Sequence, residues 1–498
     1  MEGSRELFPY LALGTGILLV LWTIVRSVYL VFFHPLSKIP GPPLYALSDL
    51  PYLYHLAQGT WPHVLKELHQ KYGPSIRYTP ADVSFTTPDA WKTIYDHKTS
   101  AAKSFIKDPR FYVKGIHSED PHIINANRED HKRMRRLISH AFSEKALRGQ
   151  ETVMSQYIDL FITKMSEYAQ SGQKLDIVKW YNFTTFDLIG DLSFGQPFGC
   201  LESGGYHPWV SMIFDDVRFS ALAPIVKRHP ILKPLTRLFV PRGLMEKSKE
   251  HFKLTQETTL NRVASGNIER EDFMSYILRH NDEKGLSKGE MVENAGILII
   301  AGSETTATLL SGTTFHLLKN PETYAKLVKE IRSAFESEEE ITLLRVNELP
   351  YLIATFNEGF RAYPPVPIGT PRITPAGGEF IDGYWIPQGT SVSVSQMSSY
   401  HSDRNFRDPQ QFVPERWLPN GDPKYKSDAK SVLNPFSIGP RNCIGKNLAY
   451  AEMRLILARL LWRFDLELMP ESREWDQQKI WSLWSKGELN VKLTEVAR

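Results

Sequence analysis

The stretch "NPFSIGPRNCIGKNL" (residues 434–448) sets a cysteine in a loop of glycine, proline and arginine, directly before an apolar helical pattern. The chain of 498 residues has two cysteines, Cys200 and Cys443. Two thiols build neither a disulfide framework nor a four-cysteine zinc site, and they suit a reducing compartment. A lone cysteine with a task is a nucleophile or a single metal ligand. An isolated thiolate needs support, and the N-terminus of the following helix supplies positive dipole and free N–H groups. Gly439 permits a tight turn and Gly445 the close approach of a flat ligand; Arg441 can pair bidentately with a carboxylate on that ligand. A small buried cysteine in a capped turn accounts for Cys443, but not for Arg441 and the two glycines together. Cys200 has no such surroundings and reads as an ordinary small residue.

Around this loop the chain reads as mainly α with a small β portion. "DHKRMRRLISHAFSEKAL" and "GKNLAYAEMRLILARLLWRF" carry strong helical periodicity, while strand-like stretches are few and short: "PSIRYTP", "GEFIDGYWIP" and "TSVSVSQ". Apolar residues make up 42%, enough for a sizeable core. No internal repeat, low-complexity tract or second linker appears, so the body is one large domain. Lys and Arg total 59 against 56 Asp and Glu, a net charge of +3 that gives no reason to expect a nucleic-acid partner.

The N-terminus differs. Leu7 to Val25 is a run of 19 uncharged residues, which as a helix spans ~28 Å, close to a bilayer's hydrocarbon thickness. "MEGSRE" is not basic and no clear cleavage site follows, so an uncleaved single-pass transmembrane helix is expected rather than a signal peptide. Arg26 and Lys38 follow it, and the positive-inside tendency leaves the rest of the chain in the cytosol. The expected organisation is a membrane anchor over 1–33, a proline-stiffened linker over 34–45 and the globular body over 46–498. The stretch 219–241 mixes apolar residues with Lys227, Arg228, Lys233 and Arg237. It reads equally as a helix pair with a solvated basic side and as a surface dipping into the membrane.

One helix stands out. Ser287 and Glu290 make a capping box and Asn320-Pro321 a stop. Its middle, "AGILIIAGSETTATLL", is apolar on nearly every face, so it crosses the interior and carries Glu304 and Thr305 into the core. A buried carboxylate is costly unless paired or functional.

A flat ligand with carboxylates, whose iron accepts one thiolate, is haem. Here the sequence resembles the cytochromes P-450. "FSIGPRNCIG" matches their haem loop at Phe436, Gly439, Arg441, Cys443 and Gly445. Their Glu-x-x-Arg pair occurs as Glu358 and Arg361 before a proline stop, and "PERW" follows with Arg416 as the third member of a structural ion-pair network. Two further copies, Glu2/Arg5 and Glu495/Arg498, lie at the chain ends and read as accidents. "AGSETT" matches the dioxygen-activating segment, which makes Thr305 the donor to the distal oxygen and Glu304 its link to a proton source. A Thr hydroxyl bonding four residues back, together with Gly302, is expected to open the helix there. Arg135 and Arg372 sit where relatives bind haem propionates, with His131 in place of the usual Trp.

The resemblance spans essentially the whole chain and implies a fold, an activity and partners. The fold is the P-450 fold. Cys443 is the proximal ligand of haem b (iron protoporphyrin IX), and the activity is that of a monooxygenase using dioxygen. NADPH-derived electrons come from a membrane-bound NADPH-cytochrome P-450 reductase. The chain then lies in the endoplasmic reticulum membrane and hydroxylates or otherwise oxidises a lipophilic small molecule. Two alternatives stay open: oxidative coupling, ring formation or rearrangement at the same haem site, and a non-catalytic haem-binding membrane protein. The phrasing of "DHKRMRRLISHAFSEKAL" is similar to fungal secondary-metabolism members such as the isotrichodermin hydroxylase group. Lys132, Arg133, Arg136 and Lys446 read either as a solvated face or as a docking surface for an acidic electron donor. Substrate contacts are expected from 101–125, 206–241, 366–371 and 482–488, with Phe105, Ile368 and Trp484 as candidates. Asn182 opens an "NFT" acceptor sequence, which a cytosolic domain leaves unglycosylated.

Overall fold

In the computed structural model, residues 3–115, 117–212, 223–230, 242–283 and 285–497 are described. Helix α1 (Gly3–Val28) leads into a wider turn over Tyr29–Phe33. The stretch Tyr10–Phe33 has a mean hydropathy of 2.1 and is long and apolar enough to cross a membrane. Its large side chains, among them Leu18, Trp22 and Phe32, are exposed. The body grips only its end: the buried Arg77 guanidinium donates to the Leu30 carbonyl (2.7 Å) and to Pro80 O (2.9 Å). The 34–45 stretch, expected as a proline-stiffened linker, packs against the body. Leu36 and Ile39 are buried in a core cluster with Val392 and Phe406. Arg77 N–H donates to Pro40 O (2.8 Å). Proline stiffness sets its extended shape, but two buried apolar residues and a strand neighbour dock it.

Helices α2 (Arg128–Ile138), α3 (Glu144–Ser171), α4 (Ile177–Phe194), α5 (Lys288–Lys319), α6 (Pro350–Ala362) and α7 (Lys446–Arg463) of the body frame the site. The periodic stretch after Asp130 is two helices. Ser139–Phe142 tightens into a 3-10 turn, and Ser143 accepts the Ala146 N–H as the cap of α3 (3.2 Å). Helix α5 starts with the expected capping box: Ser287 Oγ accepts from Glu290 N–H (3.1 Å) and the Glu290 carboxylate from Ser287 N–H (2.9 Å). Although α5 is apolar enough to pass as a membrane span, most of it is buried inside the body, which makes it a core helix. It lies against α4, itself buried along nearly its whole length. A Cβ on Gly302 would sit 2.6 Å from Ile189 Cδ1, so this glycine allows the two helices to approach. Cys200 is buried and its sulfur accepts from His207 N–H (3.3 Å), a packing role as expected.

Among the described residues, ten short strands complete the fold: β1 (Ser75–Thr79), β2 (Asp82–Phe85), β3 (Ile106–Lys107), β4 (Lys174–Asp176), β5 (Arg372–Ile373), β6 (Glu379–Ile381), β7 (Tyr384–Ile386), β8 (Ser391–Val394), β9 (Phe464–Leu468) and β10 (Asn490–Glu495). The largest sheet runs β1-β2-β8-β5-β3, with β2 and β8 parallel and the other pairs antiparallel. It sets Lys107 opposite Arg372. Strands β4, β10 and β9 form a second sheet, and the strand-like stretch "GEFIDGYWIP" is two strands, β6 and β7, paired antiparallel. Of the 219–241 stretch only 223–230 is described, and 213–222 of the 206–241 candidate loop also lies outside the described residues. In the described part, Arg228 is not a solvated basic group. It pairs with buried Asp82 (2.6 Å) and lies over the Tyr52 ring.

Helix α7 buries Glu452, which hydrogen-bonds Thr306 of α5; burial pushes its carboxyl up to about 8. The native state therefore keeps a proton that the unfolded chain releases near the ordinary glutamate value. The stability that proton contributes is lost as pH rises from there through about 8. Glu452→Gln needs no such proton. The variant is expected to gain on the order of 3 kcal/mol at pH 7. Melting curves should show the variant above the wild type at neutral pH, with the gap closing by pH 4.5.

Candidate active site

The cysteine loop is shaped by its backbone. Ser437 and Gly439 take positive φ (57° and 70°). A Cβ on Gly439 would lie 2.1 Å from the Tyr95 carbonyl, so only glycine fits there. Cys443 N–H donates to Phe436 O (2.8 Å), closing the turn. Phe436 packs between Phe360 of α6 and Tyr450 of α7, with ring centroids 5.2 and 5.1 Å away. Gly445 has ordinary φ, and a Cβ there would meet only Phe142 and the Cys443 sulfur at van der Waals distance. Neighbouring protein therefore does not demand glycine at 445. Cys443 is exposed, yet burial pushes its thiol up, against the Gly445 N–H, Arg135 and Lys446. Both hold for a sulfur facing an interior space rather than the outer surface.

Cations converge on this loop. Both terminal nitrogens of Arg135 clamp Asn442, one on its carbonyl and one on its side-chain oxygen (both 2.6 Å). Arg441 donates one nitrogen to Ala126 O (3.0 Å) and Asn127 O (2.9 Å), while its other terminal nitrogen is buried with no partner among the described residues. Burial and Arg372 bring its guanidinium down to about 10. Arg372 is buried and lies over the rings of Tyr95 and Tyr112. Lys107, which sequence reasoning missed, reaches the Ile124 carbonyl from β3, and burial together with Arg372 and Arg441 holds its amine well below the usual value. His131 is buried beside them, and burial, then Arg441, Lys107, Arg135 and Arg372, brings it to about 3, so it is neutral. Among the described residues none of Lys107, Arg135, Arg372 and Arg441 forms an ion pair with a carboxylate. Like charges gathered this closely, one buried and three half-buried, call for an anion. A dianionic flat ligand seated on Cys443 answers both the orphaned Arg441 nitrogen and the charge excess.

Behind the loop, Glu358, Arg361 and Arg416 meet with their side chains almost fully buried. Glu358 Oε1 accepts from Arg361 Nη2 (2.7 Å) and Oε2 lies 3.1 Å from Arg416 Nε. Trp417 Nε1–H and Val413 N–H donate to the same carboxylate (both 2.8 Å). Arg361 also donates to the carbonyls of Tyr400, Pro409 and Gln411. Burial alone would raise the Glu358 carboxyl; Arg361 and Arg416 outweigh it and hold it below its ordinary value. The network ties α6 to 409–417, and α6 carries Phe360 against Phe436.

On α5, Ala301 is exposed although Ile299 and Ser303 are buried, so this face also looks onto interior space. Thr305 Oγ donates to Ala301 O (2.7 Å). The helix nevertheless runs unbroken from Lys288 to Lys319, so the expected opening is absent; Gly302 serves the contact with Ile189 instead. Glu304 is buried, and its hydrogen bonds go not to Thr305 but to Lys486 and Thr308.

The family model for cytochrome P450 matches residues 40–493. The chain belongs to the cytochrome P450 family. Among similar proteins, the "Cytochrome P450 monooxygenase lcsI" of Purpureocillium lilacinum is 45% identical, covering 99% of this chain and 98% of that one. The "Trichothecene C-4 hydroxylase" of Trichoderma arundinaceum is 44% identical over 97% of this chain and 98% of its own. The "Cytochrome P450 monooxygenase astJ" of Aspergillus oryzae is 43% identical over 98% and 97%. The P450 family implies haem iron and an oxidoreductase of the monooxygenase class, and P450 monooxygenases generally use a redox-partner reductase.

Within this P450, two groups of expected contacts change. Of the four basic residues read as a docking face, Arg133 is turned inward onto Asp130 and Glu290 of the α5 cap, and Arg136 pairs with Asp282 (3.2 Å). Lys132 and Lys446 remain exposed. Trp484 is spent on packing: its ring stacks on Tyr363 (4.1 Å) and its N–H donates to Pro364 O (2.7 Å). Phe105 and Ile368 are half-buried. Asn182 is buried and donates to Tyr206 Oη (3.1 Å), so the "NFT" acceptor is inaccessible whichever side of a membrane it faces. Its glycosylation state reports nothing about orientation.

Proposed function

We propose that the chain is a membrane-anchored haem-thiolate monooxygenase that hydroxylates or otherwise oxidises a lipophilic small molecule in fungal secondary metabolism. Residues 1–33 anchor it in the endoplasmic reticulum, 34–45 connect, and 46–498 carry the haem domain on the cytosolic side. Arg26 and Lys38 support that orientation. NADPH supplies electrons through the membrane-bound reductase, whose acidic surface meets Lys132 and Lys446. The observation that carries this reading is the Cys443 loop beside a cluster of cations, Arg372 buried and Lys107, Arg135 and Arg441 half-buried, that have no carboxylate partner among the described residues.

Cys443 would hold the iron of haem b through its thiolate. Arg441, Arg372, Arg135 and His131, with Lys107, would surround its propionates, where neutral His131 would donate a hydrogen bond without adding charge. Arg135 also braces Asn442, so the loop is fixed before ligand arrives. When bound, the thiolate-ligated iron supplies dioxygen activation, with thiolate electron density favouring O–O cleavage. Thr305 offers its hydroxyl on the distal side, and Glu304 is the acid nearest it in sequence. The name of the Trichoderma relative supports hydroxylation as the reaction.

The test uses the full-length protein in detergent. Reduced and exposed to carbon monoxide, it is expected to show the strongly red-shifted band of thiolate-ligated haem. An unshifted band overturns the assignment.

A further inference from the structure

Two histidines that no motif announced meet on the protein surface. His140 stands in the 3-10 turn Ser139–Phe142, between α2 and α3, and His280 ends the short helix Phe273–Arg279. Their ring centroids are 4.2 Å apart, with the planes 32° from parallel. Both residues are exposed. Among the described residues, neither imidazole has a hydrogen-bond partner for its ring nitrogens. The bonds made here are backbone ones: the His140 carbonyl accepts from Ser143 Oγ (2.9 Å), and His280 N–H donates to Ile277 O (3.2 Å).

The segments that carry the two rings are fixed against each other. Phe142, two residues after His140, packs on Phe273 of the short helix, with centroids 4.6 Å apart. Arg136, one turn before His140, pairs with Asp282, two residues after His280 (3.2 Å). Asn281 closes the loop that follows, its side-chain oxygen accepting from Leu286 N–H (2.7 Å). The imidazoles are thus brought together by packed segments, and the freedom left to them is rotation about their own side-chain bonds.

Stacking alone is a weak reason for the pair. Two imidazolium rings in contact repel, and two exposed neutral rings remove little apolar area from water. A neutral imidazole, however, keeps one ring nitrogen with a free lone pair. Burial, then His280 and Arg136, holds His140 below its ordinary value, which favours that neutral form. Asp282 offsets the Arg136 charge, so less of it opposes a further cation. Imidazole nitrogens suit zinc, copper and nickel ions, whereas calcium and magnesium take oxygen ligands. Among the described residues no group of three histidines, cysteines or carboxylates forms a metal cluster, so the positions beyond the two imidazoles fall to water.

We propose that His140 and His280 form a two-imidazole site for one divalent transition-metal ion, of the zinc or copper class, which clips the turn between α2 and α3 to the end of the Phe273–Arg279 helix. Each ring gives the ion one nitrogen lone pair, and no bond is broken. The site uses none of the residues placed around Cys443. It touches them only through the backbone, because α2, which ends beside His140, carries His131 and Arg135.

The experiment titrates zinc chloride, and in parallel copper(II), calcium and magnesium chlorides, into full-length haem-loaded protein in detergent, made without a histidine tag. Calorimetry is expected to show one equivalent of zinc bound at micromolar concentration. Copper is expected to bind more tightly, as the order of divalent metals requires, and calcium and magnesium not at all. His140→Ala and His280→Ala should each weaken zinc binding at least ~10-fold, the smaller end of what losing even a supporting partner costs a metal site. The double variant should not bind it. His97→Ala, exposed but outside the pair, is expected to keep wild-type affinity. The copper resonance spectrum should show coupling to two imidazole nitrogens in wild type and to one in either single variant. Zinc should raise the melting midpoint of the wild type and leave that of the double variant unchanged. His140→Gln and His280→Gln, which keep a polar side chain of similar size, repeat the test should an alanine variant unfold. Wild-type protein that takes up zinc only near millimolar concentration overturns the proposal without any variant. Zinc affinity that survives in the double variant, or that is lost in His97→Ala, places the ion on other histidines and overturns it too.

Discussion

Cys443→Ala is expected to bind no thiolate-ligated haem: the reduced variant with carbon monoxide lacks the red-shifted band altogether, and substrate oxidation falls to background. The turn that presents the sulfur is made by positive φ at Ser437 and Gly439 and by the Cys443 N–H to Phe436 O bond, none of which needs the sulfur. The variant should therefore fold around a site whose cations still attract propionates but whose iron has no sulfur ligand. Cys200 offers no replacement, because it is buried at the start of a short helix beside α4 with its sulfur taken by His207 N–H. Cys200→Ala is the control and is expected to keep the full band.

Glu358→Ala is expected to yield little or no haem-loaded protein. The carboxylate is the shared anion of Arg361 and Arg416, both almost fully buried. Removing one partner of a buried pair leaves a charge uncompensated and costs about 3–5 kcal/mol. Asp428 still pairs with Arg416, but Arg361 has only carbonyls left. The damage reaches the site through Phe360, which rests against Phe436 of the cysteine loop. Glu358→Gln keeps the hydrogen-bond shape without the charge and should fall between. The ratio of haem absorbance to protein absorbance, read with the melting midpoint, checks both. Wild-type haem loading in Glu358→Ala sinks the argument.

Legibility in the sequence followed the range of the interactions. The cysteine loop is local: turn, helix start, glycines and arginine lie within ten residues, and backbone geometry fixes them together. The capping box of α5 and the proline stops were readable for the same reason. Strands such as β3 and β5, two residues each, carry no period of their own and exist because they pair across the chain. The 34–45 stretch looked like a spacer because prolines mark extended backbone, and only the packing of Leu36 and Ile39 shows that it is docked.

Cations were the hardest to read. Arg133, Arg228 and Lys486 each look like solvated residues in the sequence. Their partners, Glu290, Asp82 and Glu304, are between about 150 and 180 residues away. A charge's partner is set by folding, and burial then decides how strongly it is felt.

The sequence by itself determined the family, through the motif of the cysteine loop, the α-rich class and the apolar N-terminal helix, because each rests on a pattern local to the chain. Only the tertiary structure decided that Lys107 joins the cationic cluster, that Arg135 braces Asn442, that Gly302 serves helix contact and that Glu304 is held by Lys486. These depend on which distant segments meet in a medium too poor in water to leave a charge alone.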